Sequence, residues 1–129
     1  MAVAAATALS ARGVAPYAPE SKEGLALLNG ITALPAYAIY AHRQVSALHD
    51  FATCVAAISL EAVGAPKDAI HPVLARGNST GITKVIDRLN ELLRGSTVTP
   101  HKLQAAVSMR IIPQVHGAHA DALDQVKSG

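Results

Sequence analysis

The chain has 129 residues, half of them hydrophobic, but aromatic residues make up only 3% and tryptophan is absent. This length predicts one domain, and the Ala, Leu, Val and Ile that supply the apolar material pack helices closely but offer few flat faces for stacking nucleobases. Eleven basic and nine acidic residues are scattered singly, so the net charge of +2 does not indicate a nucleic-acid partner.

The single cysteine and the N-terminal residues bear on the compartment. Cys54 excludes an intramolecular disulfide because the sequence holds no second cysteine. The stretch "MAVAAATALSARG" has no basic leading region, so we expect no secretory signal. We also expect no membrane span, because no run of about 18 apolar residues is free of charge. These features predict a cytoplasmic protein.

The first part of the chain contains a connector and a run bracketed by glycines. Residues 1–21 form an Ala- and Pro-rich segment, and its end, "GVAPYAPES", reads as an exposed connector. The run "KEGLALLNG", Lys22 to Gly30, follows and ends in Asn-Gly, a pair typical of tight turns and left-handed backbone. The spacing alone leaves open whether this run is a helix cap or part of a binding site.

The strongest periodic signal predicts a long helix from Thr32 to Val63, ended by Gly64. One face of this helix carries apolar and small residues at alternating steps of four and three, and we call this face the seam. The seam consists of Leu34, Ala38, Ala41, Val45, Leu48, Ala52, Val55, Ser59 and Ala62. Because its small residues bury little area each, we expect the helix to pack against several partners, including other subunits.

Shorter elements are predicted after the long helix, and none of them is a sheet. The first is a helix over Lys67–Ala75, which is followed by a break with the capping candidates Asn78, Ser79 and Thr80. Next comes an amphipathic helix with an apolar stripe from Ile82 to Leu93, closed by Gly95. The last predictions are a short helix starting at Thr99 and Pro100, an extended stretch "VSMRII" over 107–112, and a helix from Pro113 to about Lys127. The fold class predicted is all-α.

Motif spacing identifies no active site. His116, His119 and Asp121 lie close in sequence, and His42 and His49 share a helix face, but no further ligands complete a metal site. The stretch "GNSTGITK" fails the spacing of a phosphate-binding loop and is better explained as a helix cap. Cys54 has no basic neighbour in sequence and is expected to be a small packing residue.

Two longer stretches carry a resemblance. "KEGLALLNG" and "SMRIIPQVHGA", Ser108 to Ala118, resemble the aromatic amino-acid lyase family, the histidine and phenylalanine ammonia-lyases. Between them, "ISLEAVGA" and "LLRGS" fall where that family carries similar segments. The resemblance covers about Lys22 to Leu123, and it implies that residues 22–129 are a lyase-like helical domain. It also implies a central slice of much longer proteins that assemble as homotetramers around a bundle of long helices.

The resemblance also bears on the cofactor. In the family, an Ala-Ser-Gly triplet upstream of the first motif cyclises into the methylidene-imidazolone electrophile, and a tyrosine loop supplies the base. This sequence contains no Ala-Ser-Gly, and its Ser128-Gly129 follows a lysine. We therefore expect no such cofactor in this chain, no metal, and no ammonia-lyase activity by the chain alone.

Three residues correspond to the family's substrate-binding shell. Asn29 matches the asparagine beside the electrophile and the substrate amine, Gln104 matches a glutamine of the same pocket, and Arg110 matches the arginine that pairs with the substrate carboxylate. An arginine suits that role because its guanidinium offers two parallel N–H groups. The sequence departs from the family where Val107 stands in place of a tyrosine, and where Ala105-Ala106 stand in place of Asp-Pro.

Several functions follow from this resemblance. The leading hypothesis is a truncated relative that is inactive alone and acts as a helical oligomerisation or pseudoenzyme module. A second is one part of a split ammonia-lyase completed by a partner chain. A third is a module that binds a small amino or carboxylic acid through Asn29, Gln104 and Arg110, and a fourth is a gene remnant without a selected role. The substrate and the number of subunits are not predicted.

Overall fold

The computed structural model describes residues 4–77, 79–100 and 103–128, and all regular structure within them is helical. This confirms the all-α prediction. The elements are α1 (Ala5–Ser10), α2 (Glu23–Asn29), α3 (Ala33–Ala62), two short 3₁₀ helices (Lys67–Ile70 and Pro72–Ala75), α4 (Thr80–Leu92), α5 (Val107–Arg110) and α6 (Ile112–Ser128). The chain divides into two compact units, Met1–Tyr37 and Ala38–Gly129, and the boundary between them lies inside α3.

The first unit holds α1, α2 and the connector between them. Residues 14–20 have no regular structure and are exposed, as the prolines predict. The start of α2 is fixed by Glu23, whose carboxylate accepts hydrogen bonds from the Tyr17 hydroxyl at 2.6 Å and from the Glu20 N–H at 2.8 Å. These two bonds, the one from Tyr17 first, lower the pKa of Glu23.

The glycine that follows α2 does not adopt the left-handed backbone that the Asn-Gly pair predicts. Gly30 has φ −69° and ψ 119°, which any residue can adopt. Glycine is favoured here for a different reason, since a Cβ atom would collide with the carbonyl oxygen of Ala26. The residue in the left-handed region is Lys22, with φ 71°, just before α2.

The long helix α3 agrees with the prediction to within one residue at each end. Its C-terminus is closed by Gly64, which has φ 58° and therefore occupies the left-handed conformation that favours glycine. The Gly64 N–H donates to the Glu61 carbonyl at 3.0 Å, and the Ala65 N–H donates to the Leu60 carbonyl at 2.9 Å. This pair of bonds is a Schellman motif, which satisfies carbonyls that would otherwise lack donors.

The face of α3 that packs within the chain is not the seam. Buried or half-buried positions follow a parallel stripe one residue later along the helix, and the seam residue Leu48 is 64% exposed. The stripe that packs within the chain consists of His42, Ser46, His49, Thr53, Ala56 and Leu60. Both stripes have steps of four and three, so periodicity could not separate them. Within the described part of the chain the seam is therefore mostly exposed, although its members Ala52 and Ser59 are half-buried.

Two predicted elements differ in the structure. The helix over Lys67–Ala75 is two 3₁₀ helices separated at His71, whose backbone is extended with ψ 135°. Pro72 explains the break, because a proline disfavours helical backbone in the preceding residue. The stretch over 107–112 is not extended, since Val107–Arg110 forms the short helix α5 and Ile112 begins α6. Pro113 lies in the first turn of α6, where its missing N–H costs no helical bond.

The helix expected from Thr99 and Pro100 does not begin there. Residues 97–100 and 103–106 are not helical, and His101 and Lys102 lie outside the described residues. The amphipathic helix α4 does form, and the Ser79 hydroxyl caps it by accepting the Ile82 N–H at 3.3 Å. Asn78 also lies outside the described residues.

The core of the second unit joins α3, the first 3₁₀ helix, α4 and the start of α6. Its buried members are Ala56, Ala57, Leu60, Ile70, Val85, Leu89, Leu93 and Ile112. The helices α4 and α6 approach closely at two glycines. A Cβ on Gly117 would lie 2.7 Å from the Cα atom of Ile82, and a Cβ on Gly81 would collide with the Gly117 carbonyl oxygen. The Gly81 N–H donates to Asp121 at 2.8 Å, which fixes the register of the two helices.

One helix among the described residues, α3, is long and apolar enough to cross a membrane when judged by length and composition alone. This is weak evidence, because a core helix of a soluble protein passes the same test. The absence of a membrane partner stays a prediction.

Candidate functional site

An open groove in the second unit contains two of the three site residues predicted from the sequence. Its volume is about 670 Å³. It lies between the segment around the first 3₁₀ helix and the segment that leads through α5 into α6. The polar or charged side chains that line it are Asp68, Gln104, Arg110 and Gln114, and apolar residues, among them Leu74, Val107 and Ile111, complete the wall. A concave apolar surface with a few converging polar groups is the usual form of a small-molecule site.

Arg110 occupies the last position of α5 and is half-buried. Its Nε atom is buried and has no hydrogen-bond partner among the residues that the structure describes. A buried donor without an acceptor costs roughly 1–3 kcal/mol, and more when the group is charged. The guanidinium therefore lacks a hydrogen-bond acceptor at the groove. A carboxylate would supply one by accepting two hydrogen bonds from the guanidinium N–H groups.

Gln104 lies on the same groove and is exposed. The structure thus brings Gln104 and Arg110 to one concavity. The third predicted residue, Asn29, belongs to the first unit, where it is the last residue of α2 and is exposed.

Two polar residues of the groove were not identified from the sequence. Asp68 lies in the first 3₁₀ helix, and Gln114 is in the first turn of α6. With its amide nitrogen turned toward the backbone, Gln114 donates to the carbonyls of Arg110 at 3.1 Å and Ile111 at 3.2 Å. Gln114 directly follows Pro113 in the stretch that resembles the lyases, so this stretch could have identified it as a site residue. Asp68 stands in an element whose form was wrongly predicted, and no motif pointed to it.

A cluster of three histidines forms a second polar feature of this unit, which we call the histidine cluster. His49 from α3 meets His116 and His119 from α6, with Nδ1 of His49 and Nδ1 of His119 2.9 Å apart. The ring centroids of His49 and His116 are 5.7 Å apart. One member of the His42–His49 pair thus meets the His116–His119 pair, which spacing within one helix could not show. No group of metal-ligating side chains with suitable geometry occurs in the described part of the chain.

Cys54 has a basic neighbour in space, contrary to the expectation from sequence. The pKa of Arg88, on α4, is raised first by its hydrogen bond to Glu91 and to a smaller extent by interaction with Cys54. Cys54 itself is half-buried.

Comparison of the sequence with known proteins identifies its family. The sequence model of the aromatic amino acid lyases matches residues 1–129. The chain belongs to the aromatic amino acid lyase family. It is 38% identical to a histidine ammonia-lyase of Geobacillus sp. (strain WCH70) over 131 residues, which cover 97% of this chain and 26% of the relative. A histidine ammonia-lyase of Bacillus cereus (strain 03BB102) is 34% identical over 131 residues, with the same coverage.

The similarity concerns a part of the aromatic amino acid lyases. A third relative, a histidine ammonia-lyase of Alkaliphilus oremlandii (strain OhILAs), is 38% identical over 132 residues that cover 94% of this chain and 25% of the relative. The chain thus spans about a quarter of the length of these curated relatives. No solved structure matches the chain at a significant level.

Proposed function

We propose that this chain is a helical segment of an aromatic amino acid lyase that binds the carboxylate of a small amino or carboxylic acid and has no ammonia-lyase activity by itself. The observation that carries the proposal is the buried Nε of Arg110, a residue that lines the groove, which has no hydrogen-bond acceptor among the described residues. Membership of the family supports the choice of an amino acid as ligand, because the most similar relatives are named histidine ammonia-lyases.

The polar groups of the groove suit a zwitterion. Arg110 supplies a fixed positive charge with two parallel donors, and Asp68 supplies a negative charge that suits an ammonium group. Gln104 offers both a donor and an acceptor. The apolar part of the wall, which includes Val107 and Ile111, suits an aromatic side chain better than a charged one.

The residues of this chain do not fit the family's methylidene-imidazolone group. That group forms from an Ala-Ser-Gly triplet, and this sequence holds none. We therefore assign no chemical step to it, and we propose binding rather than turnover for this chain alone.

Calorimetric titration with histidine, phenylalanine and their deaminated acids tests the proposal. We expect heat from at least one of them, and we expect Arg110→Ala to weaken binding by roughly 1.5–3 kcal/mol, because a hydrogen-bonded charge is lost. Arg94→Ala removes an exposed arginine at the end of α4 and is the matched control. The binding proposal fails if none of the acids gives heat, or if Arg110→Ala and Arg94→Ala behave alike.

A second candidate is one part of a split lyase, in which another chain supplies the electrophile and the base. The mostly exposed seam of α3 favours this candidate, because a long apolar helix face needs a partner. Ammonia release from histidine, phenylalanine and tyrosine should be assayed for the chain alone and after mixing with chains that carry the missing segments. Release only in the mixture would support a split enzyme, and release by the chain alone would contradict both candidates.

We further propose a cytoplasmic protein that assembles through the seam, either with copies of itself or with such a complementary chain. The support is the row of exposed large apolar residues along α3, which include Leu48 and Val55. Exposed apolar patches of this kind mark interaction sites in soluble proteins.

A further inference from the structure

The contact between α3 and α6 is unusually rich in histidine. The chain has six histidines, and four of them lie on these two helices. His42 bonds to the Leu123 carbonyl at 3.0 Å, while His49, His116 and His119 form the histidine cluster. The hydrogen bonds that join these two helices at His42, His49 and His116 therefore involve imidazoles, whose charge changes between about pH 5 and 8.

The bond between His49 and His119 constrains where protons can be. Their Nδ1 atoms lie 2.9 Å apart, so one must carry hydrogen and the other must offer a lone pair. When both imidazoles are protonated, both Nδ1 atoms are donors and both rings are positive. The bond then cannot exist, and two like charges face each other at the same distance.

The third histidine is fixed by a threonine. The Thr53 hydroxyl donates its single hydrogen to the His49 carbonyl at 3.1 Å, so toward His116 it can only accept. His116 therefore carries its hydrogen on Nδ1, 3.1 Å from the Thr53 oxygen, and a further proton must go to its Nε2. Thr53 is only 2% exposed and its bond to His116 is part-buried, whereas His119 and its bond to His49 are exposed.

The surroundings of His49 and His116 favour neutral rings. Burial is the main cause that lowers the pKa of His49 and of His116, and the neighbouring histidines lower both further. Asp50 acts in the opposite direction on His49 but is the smallest of the three causes.

Other charged side chains lie on the neighbouring helices. Lys84 and Arg88 from α4, and Asp124 and Lys127 from α6, line the same cavity as His49. Lys84 is paired with Asp124, and Arg88 is paired with Glu91. Asp121 is engaged by the Gly81 N–H.

We propose that the His49–His119 pair is a proton-sensitive latch between α3 and α6, closed while at least one of the two rings is neutral and released when both are protonated in mild acid. The latch does not depend on the proposed ligand, but it would act on the groove, because Gln114 lies on α6 and Arg110 ends the helix just before it.

The direction of the pH effect follows from proton linkage. Histidines whose pKa lies below the ordinary 6.5 in the folded chain bind fewer protons there than in the unfolded chain. The latch therefore stabilises the fold fully above pH 6.5, and its contribution falls as the pH falls below that value.

Amide hydrogen exchange of the full chain at pH 7.5 and pH 5 tests the latch. After correction for the intrinsic pH dependence of exchange, we expect protection of residues 112–128 to fall about tenfold at the lower pH. In His119→Gln this loss should shrink to about threefold or less, because glutamine can donate and accept without changing charge. His71→Gln is the matched control, since His71 is exposed and its Nδ1 accepts only the nearby Val73 N–H.

The latch proposal is contradicted if α6 of the wild-type chain shows no acid-induced loss of amide protection. It is also contradicted if His119→Gln loses as much protection as the wild-type chain and His71→Gln. Should His119→Gln not fold, NMR titration of the histidine rings of the wild-type chain decides the matter. We expect the pKa of His49 to lie below its ordinary 6.5. An ordinary pKa for His49 would overturn the latch.

Discussion

Gly117 lies where α6 approaches the backbone of α4, and its missing side chain sets the distance between them. A Cβ would meet the side-chain Cγ1 of Ile82 and also its Cα and N atoms, which belong to a helix backbone and cannot rotate away. Gly24, by contrast, lies in α2 with open space around the same position. The two glycines therefore respond in opposite ways to the same substitution.

We expect Gly117→Ala to destabilise the fold by roughly 1–3 kcal/mol, because the helices must move apart to admit a methyl group. Gly24→Ala should leave stability unchanged or raise it by up to about 1 kcal/mol, through helix propensity alone. Urea unfolding followed by circular dichroism measures both. If Gly117→Ala raised the midpoint as much as Gly24→Ala, the close approach of α4 and α6 would be wrong.

A second effect of a single residue concerns Glu23 at the start of α2. The largest cause of its lowered pKa is the hydrogen bond from Tyr17, followed by that from the Glu20 N–H. In Tyr17→Phe we expect the pKa of Glu23 to rise toward its ordinary value, as measured by NMR titration. Because the folded pKa is depressed, the stabilisation exists above the ordinary 4.5 and is lost as the pH falls through the folded pKa. If the pKa of Glu23 were unchanged in the variant, the hydrogen bond from Tyr17 would not be the cause of its lowered value.

Individual elements show how far local sequence rules reach. Helices α3, α4 and α6 could be predicted because each combines long apolar periodicity with a clear cap or stop, as at Ser79 and Gly64. The single helix over Lys67–Ala75 and the extended stretch over 107–112 were wrongly predicted. There, prolines and β-branched residues compete with tertiary contacts, and the buried Ile70 and Ile112 decide the outcome by joining the core.

The N-terminus of α4 offers a direct test of one such rule. Ser79→Ala removes the acceptor for the Ile82 N–H and should cost about 1 kcal/mol, the usual value of a helix cap. Ser59→Ala is the control, because the Ser59 hydroxyl only bonds back to the Val55 carbonyl inside α3, where alanine is the better helix former. Thermal unfolding of both variants compares them, and equal destabilisation would argue against the cap.

The candidate site could be predicted only in part from the sequence. Arg110 and Gln104 were identified by resemblance to the lyases, and the structure brings both to one groove. Asp68 and the meeting of His49 with His119 could not be identified, because both depend on how distant elements pack. The seam was found, but its neighbouring stripe packs within the chain, since two parallel faces of α3 have the same spacing.

The exposed seam makes a prediction about assembly. Light scattering should show a species larger than a monomer for the wild-type chain, and Leu48→Lys should shift it toward the monomer, because a charge would be buried in an apolar contact. Gln125→Lys adds the same charge on the exposed side of α6 and should leave the mass unchanged. A monomeric wild-type chain, or equal behaviour of the two variants, would count against the seam as the assembly face.

The hydrogen bond from the Gly81 N–H to Asp121 spans 40 residues of sequence, and this has a consequence for the order of folding. The first turn of α4 obtains that acceptor only after the chain has returned through α5 and into α6. A large loop must close before the helix start is complete, and closing it costs entropy that local contacts do not repay. We expect docking of α6 on α4 to belong to the rate-limiting step, so that Asp121→Asn slows refolding more than it speeds unfolding.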